Sequence, residues 1–178
     1  MLVRPVEISD AERLADIYGY YVKNTTISFE IDPPDHREMV TRIITYRQRY
    51  PWLVCETEEG VVGYAFATKY KDRPSYRYAA ELSVYVDKDQ VGKGIGSRLL
   101  GDLIESLKNT PAAILIAGVA LPNEPSVRLI ERFGFRKVAV FEKIGYKFRK
   151  WIDVGYWELE IKERASCHPE SGGQGAHE

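Results

Sequence analysis

Three glycines at alternate positions, Gly92, Gly94 and Gly96, divide a strand-forming run from a helix-forming one. Upstream, Ala79 to Val86 alternates Leu82, Val84 and Val86 with Glu81, Ser83 and Tyr85, the period of a strand with one apolar face. Downstream, Ile95, Leu99, Leu100, Leu103, Ile104 and Leu107 recur at helical spacing. A glycine-rich turn at this junction lets backbone N–H groups crowd together at a helix N-terminus, where the macrodipole favours an anion such as phosphate. The chain is thereby committed to a strand–turn–helix unit at its centre.

The flanking sequence fixes what surrounds that unit. Leu2 to Ile8 reads as a strand, and Ser9 with Glu12 fits a capping box opening a helix to about Asn24 with Leu14, Ile17, Tyr18 and Tyr21 on one side. A second helix is predicted from His36 to Arg49, its inner stripe marked by Val40, Ile43, Ile44 and Arg47. Its arginines 37, 42, 47 and 49 read as a solvated face. Trp52–Glu56 and Val61–Tyr70 form strands joined at Glu58-Glu59-Gly60. Ala113–Val119 is a strand, and a short helix follows from Pro122, with Val127, Leu129, Ile130 and Phe133 apolar and Gly134 as its stop. Arg136–Ile144 and Val154–Ile161 finish as strands. The order is strand, two helices, three strands, helix, strand, helix, two strands, which predicts an α+β fold on a mixed sheet.

At 178 residues the chain supports one domain, here residues 1–163, with the glycine-containing stretch 164–178 expected as a disordered tail. With 25 basic against 26 acidic residues the net charge is −1, which removes the footprint of a nucleic-acid binder. A local basic pocket for a small anion is not excluded. Cys55 and Cys167 form no CxxC pair, so neither a disulfide framework nor a zinc site is expected, and Cys55 in its apolar run reads as a reduced core thiol. His168, beside Cys167 in the tail, makes no better metal ligand there. No basic leader precedes an apolar stretch and no run is long enough to span a bilayer, so the expected setting is the cytoplasm.

The glycine loop admits three readings. A Walker loop needs GxxxxGK followed by Ser or Thr, but position 87 is Asp and Lys93 precedes Gly94. A dinucleotide fingerprint needs GxGxxG, whereas the spacing here is GxGxG with no acidic strand end about 20 residues on. A turn with no ligand stays open on spacing alone. Five further segments, however, accompany the loop: Thr25–Glu30, Arg49–Val54, Ala80–Val86, Leu121–Arg128 and Trp151–Trp157. With Val91–Gly96, and with Asn123 and Phe133-Gly134-Phe135, they resemble the GNAT acetyltransferase superfamily over residues 2 to 161, within it the phosphinothricin and methionine-sulfoximine type of N-acetyltransferase.

That resemblance implies the GNAT acyl-CoA fold with splayed central strands, acetyl-CoA as donor, and no metal. It implies that amides of Gly92, Lys93, Gly94, Ile95, Gly96 and Ser97 hold the pyrophosphate, with Lys93 or Arg98 near a phosphate. The backbone of Val84, Tyr85 and Val86 would pair with pantetheine as an added strand, and Asn123 would reach it near the thioester. Glu81, about 17 Å along the strand from Val86 at 3.3 Å per residue, would be the general base removing the amine proton. Lys71, Arg73 and Tyr76 would bind the acceptor's carboxylate or phosphinate, with Phe29 and Glu30 lining the same pocket. A small amino-acid-like amine is then the acceptor, and a homodimer is expected, in which Trp151, Tyr156 and Trp157 pack either across the interface or within one subunit.

Several residues depart from the family pattern. Val91 stands where Gln or Arg opens the cofactor loop, with Gln90 one place early. Ile130 stands where relatives carry His or Tyr, so it donates no proton to the leaving thiolate. Phe148 and Ile152 replace histidines of phosphinothricin enzymes. Two other functions therefore remain on sequence alone: transfer to a different amine (a protein N-terminus, polyamine or aminoglycoside), or an acyl-CoA-binding regulator without catalysis.

Overall fold

A computed structural model describes residues 1–163; the expected tail, with Cys167 and His168, lies outside the described residues. Seven strands form one sheet: β1 (Leu2–Pro5), β2 (Trp52–Thr57), β3 (Gly60–Lys69), β4 (Ala79–Val86), β5 (Ile114–Leu121), β6 (Arg136–Lys147) and β7 (Lys150–Glu160). Their spatial order is β1-β2-β3-β4-β5-β7-β6. Every neighbouring pair is antiparallel except β4 and β5, which are parallel. A parallel pair needs a crossover, and α3 (Ile95–Leu107) supplies it. The predicted mixed α+β sheet and its element order are observed.

Alternation along each strand sends side chains to two separate clusters. Leu53, Cys55, Ala65, Ala80 and Leu82 join α3 and α4 (Glu124–Arg132) on one face. Trp52, Val54, Val61 and Tyr64 pack on the other against α1 (Ala11–Asn24) and α2 (His36–Tyr46). Cys55 is a buried free thiol, as its apolar run implied. Burial on both faces makes the sheet the central layer of the molecule. Residues that alternation alone sends outward, Glu81 among them, therefore meet protein and a cavity.

Several local expectations are corrected. The first strand ends at Pro5, and the capping box is Glu7 with Asp10 rather than Ser9 with Glu12. Asp10 wins because its carboxylate accepts at 2.8 Å from the Glu7 N–H and at 2.9 Å from two Arg4 nitrogens. The second helix stops at Tyr46, and its buried face is Met39 with Ile43, while Ile44 is exposed. Arg42 is no solvated side chain: it makes a bidentate pair with Glu30 at 2.9 Å and also reaches Glu38. The last two strands run on to meet in a hairpin, whose turn residues Phe148 and Arg149 have φ of 50° and 61°. Aromatic and glycine residues hid this continuation from a periodicity argument.

Candidate active site

The parallel pairing of β4 with β5 lasts only from Ala79/Ile114 to Glu81/Ile116. Both strands continue beyond it, β4 held on its other side by β3 through Gly63/Val86 and β5 by β7 through Leu121/Asp153. The two central strands therefore part after Glu81, leaving facing backbone edges unpaired with each other: the expected splay. At the open end stands the glycine loop. Gly92 and Gly94 have φ of +85° and +82°, a region that side chains with a Cβ rarely occupy. Gly94 is the N-cap of α3, so the unpaired amides of the first helical turn open towards the cleft's wide end. Gly96 lets α3 approach Leu129, 3.4 Å from where its Cβ would be. Lys93 and Arg98 are exposed and already bonded, to Gln90 at 2.8 Å and Asp102 at 2.8 Å. The loop's anion-binding capacity thus rests on backbone amides, and Val91 in place of Gln or Arg removes none of them.

On the α1/α2 face, at the closed end of the cleft, lies a cavity of about 230 Å³. Glu81, Ser83 and Tyr85 line it from β4, and Phe66 and Thr68 from β3. Arg42 and Glu30 close the side opposite the sheet, bonded to each other, with the Tyr18 hydroxyl donating to Glu30 at 2.8 Å. Burial pushes the Tyr18 phenol up to about 12. A larger depression of about 490 Å³, between α1 and residues 33–36, is open and shares no lining residue with this cavity.

Burial also raises the Glu81 carboxyl above its ordinary 4.5. Its Oε1 lies over Gly118 on β5, 3.3 Å from where a Cβ would be. The ring of Tyr156, paired with Gly118 across β5 and β7, lies 3.4 Å from that same point. Burial first, and the nearby Glu81 charge second, push the Tyr156 phenol up. The sequence assigned Tyr156 to packing; its alignment with a glycine in a neighbouring strand is visible only in three dimensions.

The other expected site residues divide. Glu30 lines the cavity, but Phe29 turns to the last hairpin, its ring where a Cβ on Gly145 would stand. Lys71, Arg73 and Tyr76 do not line the cavity; they lie in the segment joining Thr68 on β3 to Glu81 on β4, a pair that does. Lys71 Nζ rests 5.0 Å from the Tyr70 ring and 5.4 Å from that of Tyr76. Asn123 caps α4, accepting from the Ser126 N–H at 3.3 Å just past the end of β5. Ile130, on the inner face of α4, is buried. Among the described residues no group of three His, Cys, Asp or Glu side chains is placed to hold a metal, and no helix is long and apolar enough to cross a membrane.

A sheet opened between two parallel central strands, with a glycine-capped helix at its wide end and a half-buried carboxylate at its narrow end, defines an acyl-CoA-dependent acyltransferase. A family model for the acetyltransferase (GNAT) domain matches residues 3–155. The chain is 34% identical over 167 residues to the phosphinothricin N-acetyltransferase of Streptomyces viridochromogenes, covering 94% of this chain and 91% of that one. It is 31% identical over 170 residues to the L-methionine sulfoximine/L-methionine sulfone acetyltransferase of Salmonella typhimurium, covering 93% and 98%. The crystal structure of a phosphinothricin acetyltransferase from Sinorhizobium meliloti in complex with acetyl-CoA superposes with a TM-score of 0.91, at 29% identity over 96% of this chain and 94% of that one. The chain belongs to the GNAT acetyltransferase family, and it is an acetyl-CoA-dependent N-acetyltransferase.

Proposed function

We propose that this enzyme moves acetyl from acetyl-CoA to the α-amine of a small amino-acid-like substrate by direct attack, with Glu81 as general base. The observation that carries the reading is a half-buried carboxylate at the point where β4 and β5 part, lining a cavity. At about 230 Å³ that cavity is smaller than the roughly 300–1,000 Å³ of sites for drug-sized ligands. An amino acid suits it, and the relatives above are named for amino-acid acceptors. Amides of Gly92 to Ser97 hold the pyrophosphate, the free edge at Val84 to Val86 pairs with pantetheine, and Asn123 stands near the arm. Glu30 lines the acceptor cavity, and Lys71 and Arg73, with Tyr76, supply charge for the acceptor's carboxylate from the loop outside its lining. The amine first gives one proton to solvent; its nitrogen then attacks the thioester carbon as Glu81 takes a second. No metal takes part in this scheme. Acetyl-CoA as co-substrate argues for a cytoplasmic enzyme, where a thiol such as Cys55 stays reduced.

The test is thiol release from acetyl-CoA with amino-acid sulfones, sulfoximines, phosphinothricin, polyamines and peptides in turn. Release with the amino-acid group alone is the expected result. Release with polyamines or peptides instead gives the enzyme a different acceptor. Calorimetric binding of CoA with no release for any amine makes the protein a regulator, the reading that Ile130 favours.

Gly118→Ala separates catalysis from folding. Replacing a strand glycine restricts the unfolded chain, worth about 0.4–1 kcal/mol, and the new methyl meets the mobile end of Glu81 and the Tyr156 ring. Thermal stability is expected to stay within a few degrees of the parent, while kcat falls about tenfold as the carboxylate is displaced. Unchanged kcat would show that the Glu81 position is not critical.

The enzyme is also proposed to be a homodimer. β6 is an edge strand of 12 residues, a form that proteins normally cover. Its hairpin with β7 exposes Phe141, Ile144, Tyr146, Phe148 and Trp151, the last at 63%. Sedimentation is expected to give twice the chain mass, and Trp151→Glu to shift it towards the monomer. Trp157 takes no part, because it is 1% exposed within its own subunit.

A further inference from the structure

Direct transfer requires two proton movements. One leaves the amine, and one reaches the sulfur of the departing CoA thiolate. Glu81 accounts for the first only. Ile130 supplies nothing for the second, since its aliphatic side chain is buried on the inner face of α4. Among the described residues the single histidine is His36, exposed in the first turn of α2, and Cys55 is buried in the cluster beneath α3.

We propose that the Tyr156 hydroxyl protonates the leaving thiolate, working as a pair with Glu81 across Gly118. The inference rests on the reading of Glu81 as base and goes beyond it. Glu81 belongs to the last residue pair joining β4 to β5. Gly118 is two residues further along β5, so on the same sheet face it is the first position past that pair. It has no side chain, and Tyr156, its partner on β7, lays its ring over the empty place. From the β6 side Phe141 meets that ring edge-on at 5.4 Å, packing it against the sheet. The two polar side chains thus stand on opposite banks of the cleft at its closed end, with no more than the width of one methyl group between them at Gly118. A thioester entering between the strands on this face has the carboxylate on its β4 side and the phenol on its β5 side.

The chemistry balances without a further reagent. The neutral amine attacks the acetyl carbon, forming the C–N bond, and the resulting ammonium gives its proton to Glu81. The C–S bond breaks, and the sulfur takes the proton of the Tyr156 hydroxyl. The phenolate then recovers a proton from the Glu81 carboxylic acid. Products are the acetamide and CoA thiol, and both side chains return to their starting forms. The titratable groups facing Tyr156 are Glu81 on β4 and Tyr70 just beyond β3, and their proximity together with burial keeps the phenol protonated at neutral pH. From β5 and β6 it meets Gly118 and Phe141.

The experiment is a kcat–pH profile with acetyl-CoA and, as first probe acceptor, L-methionine sulfoximine. Tyr156→Phe is expected to lower kcat by about 10²-fold, the usual scale for one general acid, with both KM values within about twofold and the basic limb of the profile lost. Replacing Tyr156 by 3-fluorotyrosine is expected to retain activity and move the basic limb to lower pH by the difference in acidity of the two phenols. Tyr156→Phe with kcat within twofold of the parent overturns the proposal. So does a loss of kcat that leaves the basic limb in place, because a packing role removes rate without moving a pKa. Glu81→Gln in the same assay keeps the two ideas apart: its acidic limb reports the base, whatever the basic limb does.

Discussion

Glu81→Gln is expected to lower kcat/KM for the acceptor by about 10²- to 10⁴-fold, the range for removing a general base, while the Kd for CoA stays as it was. The carboxamide keeps the volume and one acceptor oxygen but takes no proton at any useful pH. Rates for the variant should therefore climb with pH as the amine itself deprotonates, without the acidic limb set by Glu81. An opposite change is expected in stability. Burial raises the carboxyl pKa in the folded protein above its ordinary 4.5, so the native state holds the proton more tightly than the unfolded chain. Such a group favours folding fully only below the unfolded pKa, and that contribution is lost as pH rises through the folded value. The glutamine variant should thus melt higher than the parent at neutral pH and show little advantage below about pH 4, where both forms are uncharged. Thermal melts across that range check the sign. Unchanged kcat/KM at every pH would remove Glu81 from the mechanism.

Trp157→Ala is expected to destabilise the fold by about 3–5 kcal/mol, out of the roughly 5–15 kcal/mol that holds a domain together. The ring is 1% exposed and lies across Gly155, where a Cβ would sit 2.4 Å from it. Its indole N–H donates to Glu131 on α4 at 3.0 Å, tying that helix to β7. Deleting it opens a ring-sized void under α4 and removes the tie to Glu131, whose exposed carboxylate is then hydrated. Urea denaturation should show a lower midpoint with little change in slope. A loss below about 1 kcal/mol would mean that the site collapses to fill the void.

The two tryptophans show how far pattern reading reaches. Trp151 and Trp157 stand in the same motif, six residues apart and on one sequence parity, and periodicity puts them on one strand face. The structure separates them completely, 63% against 1% exposed, because Trp151 lies at the hairpin end, beyond the reach of β5, and Trp157 lies deep in the sheet. Arg42 is a similar case. One arginine among four on a polar helix face carries no mark in the chain, yet it meets Glu30 from a loop 12 residues earlier and forms the cavity wall.

By itself the sequence determined the element order, the mixed sheet, the glycine loop and Glu81 on the strand face away from Leu82 and Val84. These follow from spacings of two, three and four residues, which are properties of the chain whatever surrounds it. Whether Glu81 faces solvent or a cavity depended on helices folding over its face, and the partners it meets, Gly118 and Tyr156, lie 37 and 75 residues away in the chain. Only tertiary structure decided that Tyr156 stands across Gly118 from the carboxylate and that Lys71 and Arg73 lie outside the cavity's lining. The register of β5 against β7 and the point where β4 leaves β5 set those distances, and no local pattern encodes them.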